Sequence, residues 1–231
     1  MDYPKSDYIE QPKTLPEDDF WGQVKRTIAG KPVGEEQIVM IVDAVLVGLK
    51  GRQSDELLDL ACGNGALTAR LFDKFKNVLG VDISEYLIDI GNRYFAKPPD
   101  YRFLASDVVA YLLEEREPLR FTRVLCYAGF QYFTREAEET VLATLRRRFR
   151  NVERMFIGNM PDRDRCEHFF GERQIQPGEL EDPRSQIGRW TTDSEFAEVA
   201  RRTGWNAEFS RMPSDYFTSN NRFDITLTPM V

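Results

Sequence analysis

The sequence predicts an α/β fold: a doubly wound, mostly parallel sheet of seven strands with an antiparallel last strand, an N-terminal helical extension and a lid-like insertion. Three observations predict it. From residue 56 onward, short apolar runs alternate with stretches of helical spacing, as expected for parallel strands covered on both faces by helices. The first of these runs, Leu57-Leu58-Asp59-Leu60-Ala61, passes directly into Cys62-Gly63-Asn64-Gly65. The pattern then closes on two strand-like runs joined by a short linker, which suggests an antiparallel pair.

Residues 1–16 are polar and carry Pro4, Pro12 and Pro16, so they read as an extended arm. Residues 17–29 fit a short helix with Phe20, Trp21, Val24 and Ile28 on one face, ended by Gly30-Lys31-Pro32. Residues 35–50 fit a second helix, in which Ile38, Val42, Val45, Leu46 and Leu49 repeat at helical spacing and Gly51 is the stop. Strands are expected at 56–61, 77–83, 101–104, 121–127, 154–159, 205–211 and 222–228. Helices are expected at 64–75, 84–95 (capped by Ser84), 107–116 and 134–149. Residues 160–190, with Pro161, Pro177 and Pro183 and many charges, interrupt the alternation; a connection this long reads as a functional lid. The last helix, 192–203, opens on Thr192 and Glu195 at capping-box spacing. One structural domain is expected overall, with residues 1–50 as an arm and helices closing over the site and 51–231 as the main body.

Composition narrows the function classes. A 231-residue chain with 42% hydrophobic and 30% charged residues reads as a soluble globular protein able to bury its own core. A net charge of −7 argues against nucleic acid as partner. The cysteines at 62, 126 and 166 form neither a disulfide framework nor a metal clip, so a cytoplasmic location is expected and no metal. No apolar run is long enough to span a bilayer, so no membrane partner is expected.

The glycine-rich turn lies at the carboxyl end of a strand, where open α/β sheets bind ligands. Val78-Leu79-Gly80-Val81-Asp82 is a second apolar strand ending in an acid, at the distance from Asp59 where a carboxylate bonds ribose hydroxyls. Asp107 ends the next strand; alone, Ser106-Asp107-Val108 would be read as a helix cap.

In this order, the segment 59–65, Asp82, Asp107 and the strand 124–127 resemble the successive cofactor motifs of class I S-adenosylmethionine-dependent methyltransferases. The resemblance covers roughly residues 55–160, with a looser similarity over 190–228, and Ala61 stands at the family's first glycine position. It implies a Rossmann-like fold and S-adenosyl-L-methionine as cofactor. By the same resemblance, Asp59 and the backbone around Ala61, Gly63 and Gly65 would hold the methionine part. Asp82 would bond the ribose, Ile83 would pack on adenine, and Ser106, Asp107 and Val108 would contact the adenine edge. Tyr127 and Ala128 would lie near the methyl donor.

His168, the only histidine, falls in the lid and is the candidate general base, weighed against a plain surface role. Tyr127 is the second candidate catalytic residue, through its ring facing a sulfonium. Trp21, Val24 and Lys25 are candidates for closing over the site. Arg146-Arg147-Arg148 reads as a surface helix end.

The expected reaction is methyl transfer to an oxygen, less readily a nitrogen, of a small molecule such as a sugar or secondary metabolite. Tyr127-Ala128-Gly129-Phe130 stands where an Asn-Pro-Pro-Tyr-type tetrapeptide would signal planar amino acceptors. Homodimerisation is left open. Two rival readings remain at this point. One is an NAD-dependent oxidoreductase, which needs a third glycine where Thr68 stands. The other is a non-catalytic, cofactor-binding subunit.

Overall fold

The computed structural model describes residues 6–230, with the side chains of residues 6 and 7 excepted. Its centre is a seven-stranded sheet: β1 Glu56–Leu60, β2 Asn77–Asp82, β3 Tyr101–Ala105, β4 Arg123–Tyr127, β5 Arg154–Pro161, β6 Trp205–Ser210 and β7 Arg222–Pro229. The spatial order is β3-β2-β1-β4-β5-β7-β6. β1 through β5 run parallel, and β7 lies antiparallel to both β5 and β6. Strand order therefore reverses between β1 and β4, which makes their carboxyl ends the switch point where such sheets bind ligands.

The helices are α1 Glu35–Leu49, α2 Ala66–Ala69, α3 Glu85–Tyr94, α4 Val108–Glu114, α5 Arg135–Arg148 and α6 Asp193–Arg202. They cover both sheet faces. One face packs Leu58, Leu60 and Val124 under α4, α5 and α6 residues such as Leu112, Leu142 and Phe196. The other packs Leu57, Val78 and Leu125 under α1 and the turn after α2. Caps fall where expected: Ser84 Oγ accepts from Leu87 N, and Thr192 with Glu195 forms a complete capping box.

Three expectations need correction. The helix at 17–29 is a single turn, Phe20–Gln23, followed by a small hairpin of Thr27–Ile28 against Lys31–Pro32. Lys25 and Ala29 take positive φ (52° and 48°), and Ile28 is half exposed, so tertiary contacts outweigh the helical spacing. Phe20 turns aside to meet the ring edges of Tyr94 and Phe95.

The helix at 64–75 splits into α2 and a tight turn, Phe72–Lys74, because Arg70 and Leu71 bond back three residues to Leu67 and Thr68. Phe72 thereby stacks on Tyr101, ring centroids 4.2 Å apart. Finally, α1 ends on Lys50 in the left-handed conformation (φ 46°) rather than at Gly51.

Residues 162–191 contain short turns, of which Glu167–Phe170 is the largest. The segment is anchored at its end by a buried ion pair between Arg189 and Glu138, and Arg189 Nε also donates to Phe133 O at 2.8 Å. Among the described residues, no helix is long and apolar enough to cross a membrane.

Candidate active site

Three consecutive turns meet at the switch point. After β1, Ala61, Gly63 and Gly65 all take positive φ (56°, 60° and 76°), so the chain coils tightly before α2. After β2, Asp82 reaches back into that coil: Oδ2 accepts from Gly63 N and Oδ1 from Ser84 N, both at 2.9 Å. After β4, Ala128 (φ 57°) and Gly129 pass against the first turn. Asp59 lies beneath the turns, buried, with Oδ2 accepting from the Thr68 hydroxyl at 2.6 Å.

The electrostatics of this cradle are unbalanced toward negative charge. Neither Asp59 nor Asp82 has an ion-pair partner among the described residues, and both are almost fully buried. Burial pushes the Asp59 carboxyl up to about 7, the Thr68 hydrogen bond opposes this, and the nearby Asp82 charge adds to it. Burial also raises Asp82 above the ordinary carboxylate range, against the backbone hydrogen bonds of Ser84, Gly63 and Ile83. A cationic ligand would relieve both, and the sulfonium and ammonium of S-adenosylmethionine are such cations. The residues present therefore fit that cofactor.

The N-terminal segment covers the cradle. Asn64 Nδ2 donates to Phe20 O (2.8 Å) and Gln23 Oε1 (2.9 Å), and Gln23 Nε2 donates to Pro16 O (2.9 Å). Val24 Cγ1 stands 2.8 Å from the position a Cβ on Gly63 would take, so only glycine admits this lid. The hollow left above Asp59, Asp82 and Gly63 is about 50 Å³, below the roughly 300–1,000 Å³ of typical ligand pockets.

A second hollow of about 650 Å³ adjoins it and shares Tyr8, Val24, Arg26, Ala128 and Tyr132 as lining. Its far wall comes from Asn159, from Tyr216 and Asn221 of the β6–β7 connection, and from Arg222 at the start of β7. Asn159 (φ 63°) sits at an irregularity in the β5–β7 pairing and donates its N–H to Asp224 at 2.7 Å. The connection is pinned by α1: Gln37 donates to Asp215 O and accepts from Phe217 N. Tyr127 is buried between the hollows, its hydroxyl 2.9 Å from that of Tyr216 and its ring facing the Arg26 guanidinium at 5.0 Å. Burial drives its phenol well above the ordinary value, so it keeps its proton at neutral pH.

The structure brings Asp59, Ala61, Gly63, Asp82 and Tyr127 together around the smaller hollow. Gly65 is buried behind it, blocked by the Phe103 ring. Ile83, Ser106, Asp107 and Val108 lie on the adjoining β2 and β3 ends, where Ser106 N donates to Asp82 O. Asp107 Oδ1 caps α4 by accepting from Ala110 N at 3.0 Å. His168 is exposed and lines neither hollow; its neighbour Phe169 reaches the larger one. Trp21, Val24 and Lys25 do border the site. Arg26, Gln23, Tyr216 and Arg222 escaped the sequence reading. A charged residue beginning an apolar strand was the one available signal, at Arg222.

Comparison with known proteins agrees with this layout. Residues 57–151 match a family model described as methyltransferase domain. A ribosomal RNA small subunit methyltransferase A from Pseudomonas syringae pv. syringae is 31% identical over 71 residues, a match covering 31% of this chain and only 26% of that relative. Among solved structures, an S-adenosylmethionine-dependent methyltransferase from Clostridium acetobutylicum superposes with a TM-score of 0.66 at 14% identity, covering 93% of this chain and 99% of that one. The 1,6-didemethyltoxoflavin-N1-methyltransferase of Burkholderia thailandensis superposes with a TM-score of 0.59 at 19% identity, over 85% and 80%. The methyltransferase-domain match lies over the strands and turns that build the acidic cradle, and the sheet that carries them has the fold of S-adenosylmethionine-dependent methyltransferases.

Proposed function

We propose that the chain transfers a methyl group from S-adenosylmethionine to an oxygen of a small acceptor seated in the larger hollow. The observation that carries this reading is the shared wall. Val24, Arg26 and Ala128 border both the acidic cradle and the roomy polar hollow, so a group bound in one abuts a group bound in the other.

When bound, the cofactor supplies an electrophilic methyl on a sulfonium. The chain's part is to hold an acceptor oxygen in line with that methyl and to keep water away. Asp59 and Asp82 supply negative charge to the cationic end and the ribose. Asp107 has one carboxylate oxygen beyond the one capping α4, and with the Val108 N–H it suits an adenine edge beside Ile83. Tyr127, protonated and hydrogen-bonded to Tyr216, positions rather than deprotonates. With His168 away from both hollows, transfer rests on positioning, and the proton that a hydroxyl acceptor loses passes to solvent. The segment over residues 19–26 has to lift for the cofactor to enter, given the space now left in the cradle.

Enclosure favours a small acceptor, and the polar lining favours a hydroxylated one. The NAD reading loses support at Thr68, where a third glycine would sit: its buried hydroxyl is committed to Asp59. The test is incubation with methyl-labelled cofactor and a fractionated cell extract, read by mass spectrometry. Label in a small-molecule fraction is expected. Label confined to RNA or protein, or binding of NAD but not S-adenosylhomocysteine, sinks the proposal.

A further inference from the structure

Arg222 begins β7 and is only 8% exposed, yet its Nε and Nη1 are sequestered with no hydrogen-bond partner, and it forms no ion pair among the described residues. Its guanidinium lies over the Trp190 ring, 5.4 Å from the centroid, which fixes its plane without neutralising its charge. Burial holds its pKa below the ordinary value, and the surrounding phenols of Tyr132, Tyr8 and Tyr216 partly offset this. An arginine stays protonated in proteins, so the fold keeps a cation out of water with nothing to balance it, a costly arrangement unless an anion completes it.

Arg26 lines the same hollow and lends its charge to Asp59 on the cradle side. It too is 8% exposed, rests over the rings of Trp21 and Tyr127, and has no carboxylate within ion-pair distance among the described residues. Among the described residues, the one acidic side chain that lines the hollow is Asp19, and it is engaged as the cap of the Phe20–Gln23 turn. Asp224, a buried carboxylate whose charge reaches Tyr127, accepts from Asn159 N and does not line the hollow.

Unpaired acceptors face the same space. Gln131 donates through Nε2 to Ala128 O at 3.1 Å, which leaves Oε1 buried and unpaired. Asn221 Oδ1 and Gln11 Oε1 are likewise buried and without donors, and all three residues line the hollow. Unmatched cations beside unmatched acceptors describe a ligand with an anionic oxygen group and several hydroxyls.

We propose that the larger hollow is an oxyanion-binding acceptor site, in which Arg222 and Arg26 hold the carboxylate or phosphate of a hydroxylated acceptor while Gln131, Asn221 and Gln11 accept from its hydroxyls. This rests on the methyl-transfer reading and narrows its acceptor class to acidic polyols or sugars. A guanidinium fork matches either oxyanion in two-point geometry.

The test is calorimetry on the full chain. S-adenosylhomocysteine is titrated first; no binding brings down the methyl-transfer reading itself. The saturated protein is then titrated with glucuronate, glucose 1-phosphate and glucose. At least one charged probe is expected to bind about tenfold or more tightly than glucose, as charge-assisted hydrogen bonds would give. Whichever charged probe wins separates carboxylate from phosphate. Arg222→Met should erase the preference, Arg222→Lys should keep part of it, and both should bind S-adenosylhomocysteine as wild type does. Arg222→Met should also melt no lower than wild type, whereas a purely structural arginine would lower the melting temperature. Equal binding of charged and neutral probes, or a preference that survives Arg222→Met, overturns the proposal.

Discussion

Ala61 and Gly129 fit together as a pair across the cofactor cradle: a Cβ added to Gly129 would stand 2.5 Å from the Cβ of Ala61. Ala61 holds a left-handed φ of 56°, a conformation that costs an L-residue about 1–2 kcal/mol. The methyl that Ala61 carries is accommodated by the missing side chain of Gly129. Gly129 itself has φ −120°, which any residue adopts, so a substitution there is penalised by contact alone. Gly129→Ala should therefore destabilise the chain by about 1–3 kcal/mol, the range for overpacking a tight site, and weaken S-adenosylhomocysteine binding. Adding Ala61→Gly should restore most of both losses. Urea unfolding and calorimetry on the two single variants and the double variant measure this, and additive effects would show that the two residues do not interact.

Gln23 is the latch of the N-terminal cover. It is fully buried, donates to Pro16 O and Glu17 O, and accepts from Asn64. Gln23→Met keeps the approximate volume and removes all three bonds, each worth about 0.5–1.5 kcal/mol of local stability. Trypsin should then cut between residues 13 and 31 faster than in the wild type, and S-adenosylhomocysteine should associate faster. An unchanged association rate together with an unchanged cleavage rate would mean that this segment does not gate the cradle.

The inner strands were legible in the sequence because each is a short apolar run buried on both faces, and the first two carry their own ends in Gly63 and Asp82. The turns at successive strand ends were legible for the same reason, since each breaks an apolar run. What could not be read were side chains whose partners lie far along the chain. Arg26 faces Tyr127 across 101 positions, and Tyr216 reaches Tyr127 from a connection whose sequence looks like an ordinary linker. The apolar spacing of residues 17–29 is genuine helical spacing, but Gly22 and the positive φ of Lys25 let tertiary contacts reshape it into a turn and hairpin. The lid was legible as an irregular segment, while the side of it that faces the hollow was not.

His168 is the case in which a chemical expectation and its position part company. It is the only histidine, yet it is exposed in the Glu167–Phe170 turn, and among the described residues no hydrogen bond fixes its ring. His168→Ala should leave kcat/KM for the true acceptor within about twofold and stability within about 0.5 kcal/mol, the usual range for a surface substitution. A loss of a hundredfold or more with stability intact would restore it as the base and require the lid to swing inward on binding.

Asp59 ties cofactor affinity to pH. Its carboxyl is pushed to about 7 in the folded chain, mainly by burial and further by the Asp82 charge. Because the folded pKa lies above the unfolded value near 3.8, the folded state holds a proton that the unfolded state has lost between about pH 4 and 7. Stability from this group is thus present below that window and is lost as pH rises through it, by up to about 4 kcal/mol. Asp59→Asn preserves an acceptor for the Thr68 hydroxyl and removes the buried charge, so at pH 8 the variant should melt higher than wild type without ligand. The cationic cofactor favours the ionised carboxylate, so wild-type affinity should fall by up to about tenfold per pH unit below 7 as the proton must first be displaced. The fall should be steeper for S-adenosylmethionine than for S-adenosylhomocysteine, which lacks the sulfonium charge. Calorimetry in buffers of different ionisation enthalpy should register proton release on binding near pH 6, and this release should vanish in Asp59→Asn. A pH-independent affinity in the wild type, or proton release that persists in the variant, would move the titrating group away from Asp59 and leave the cradle's charge balance to Asp82 alone.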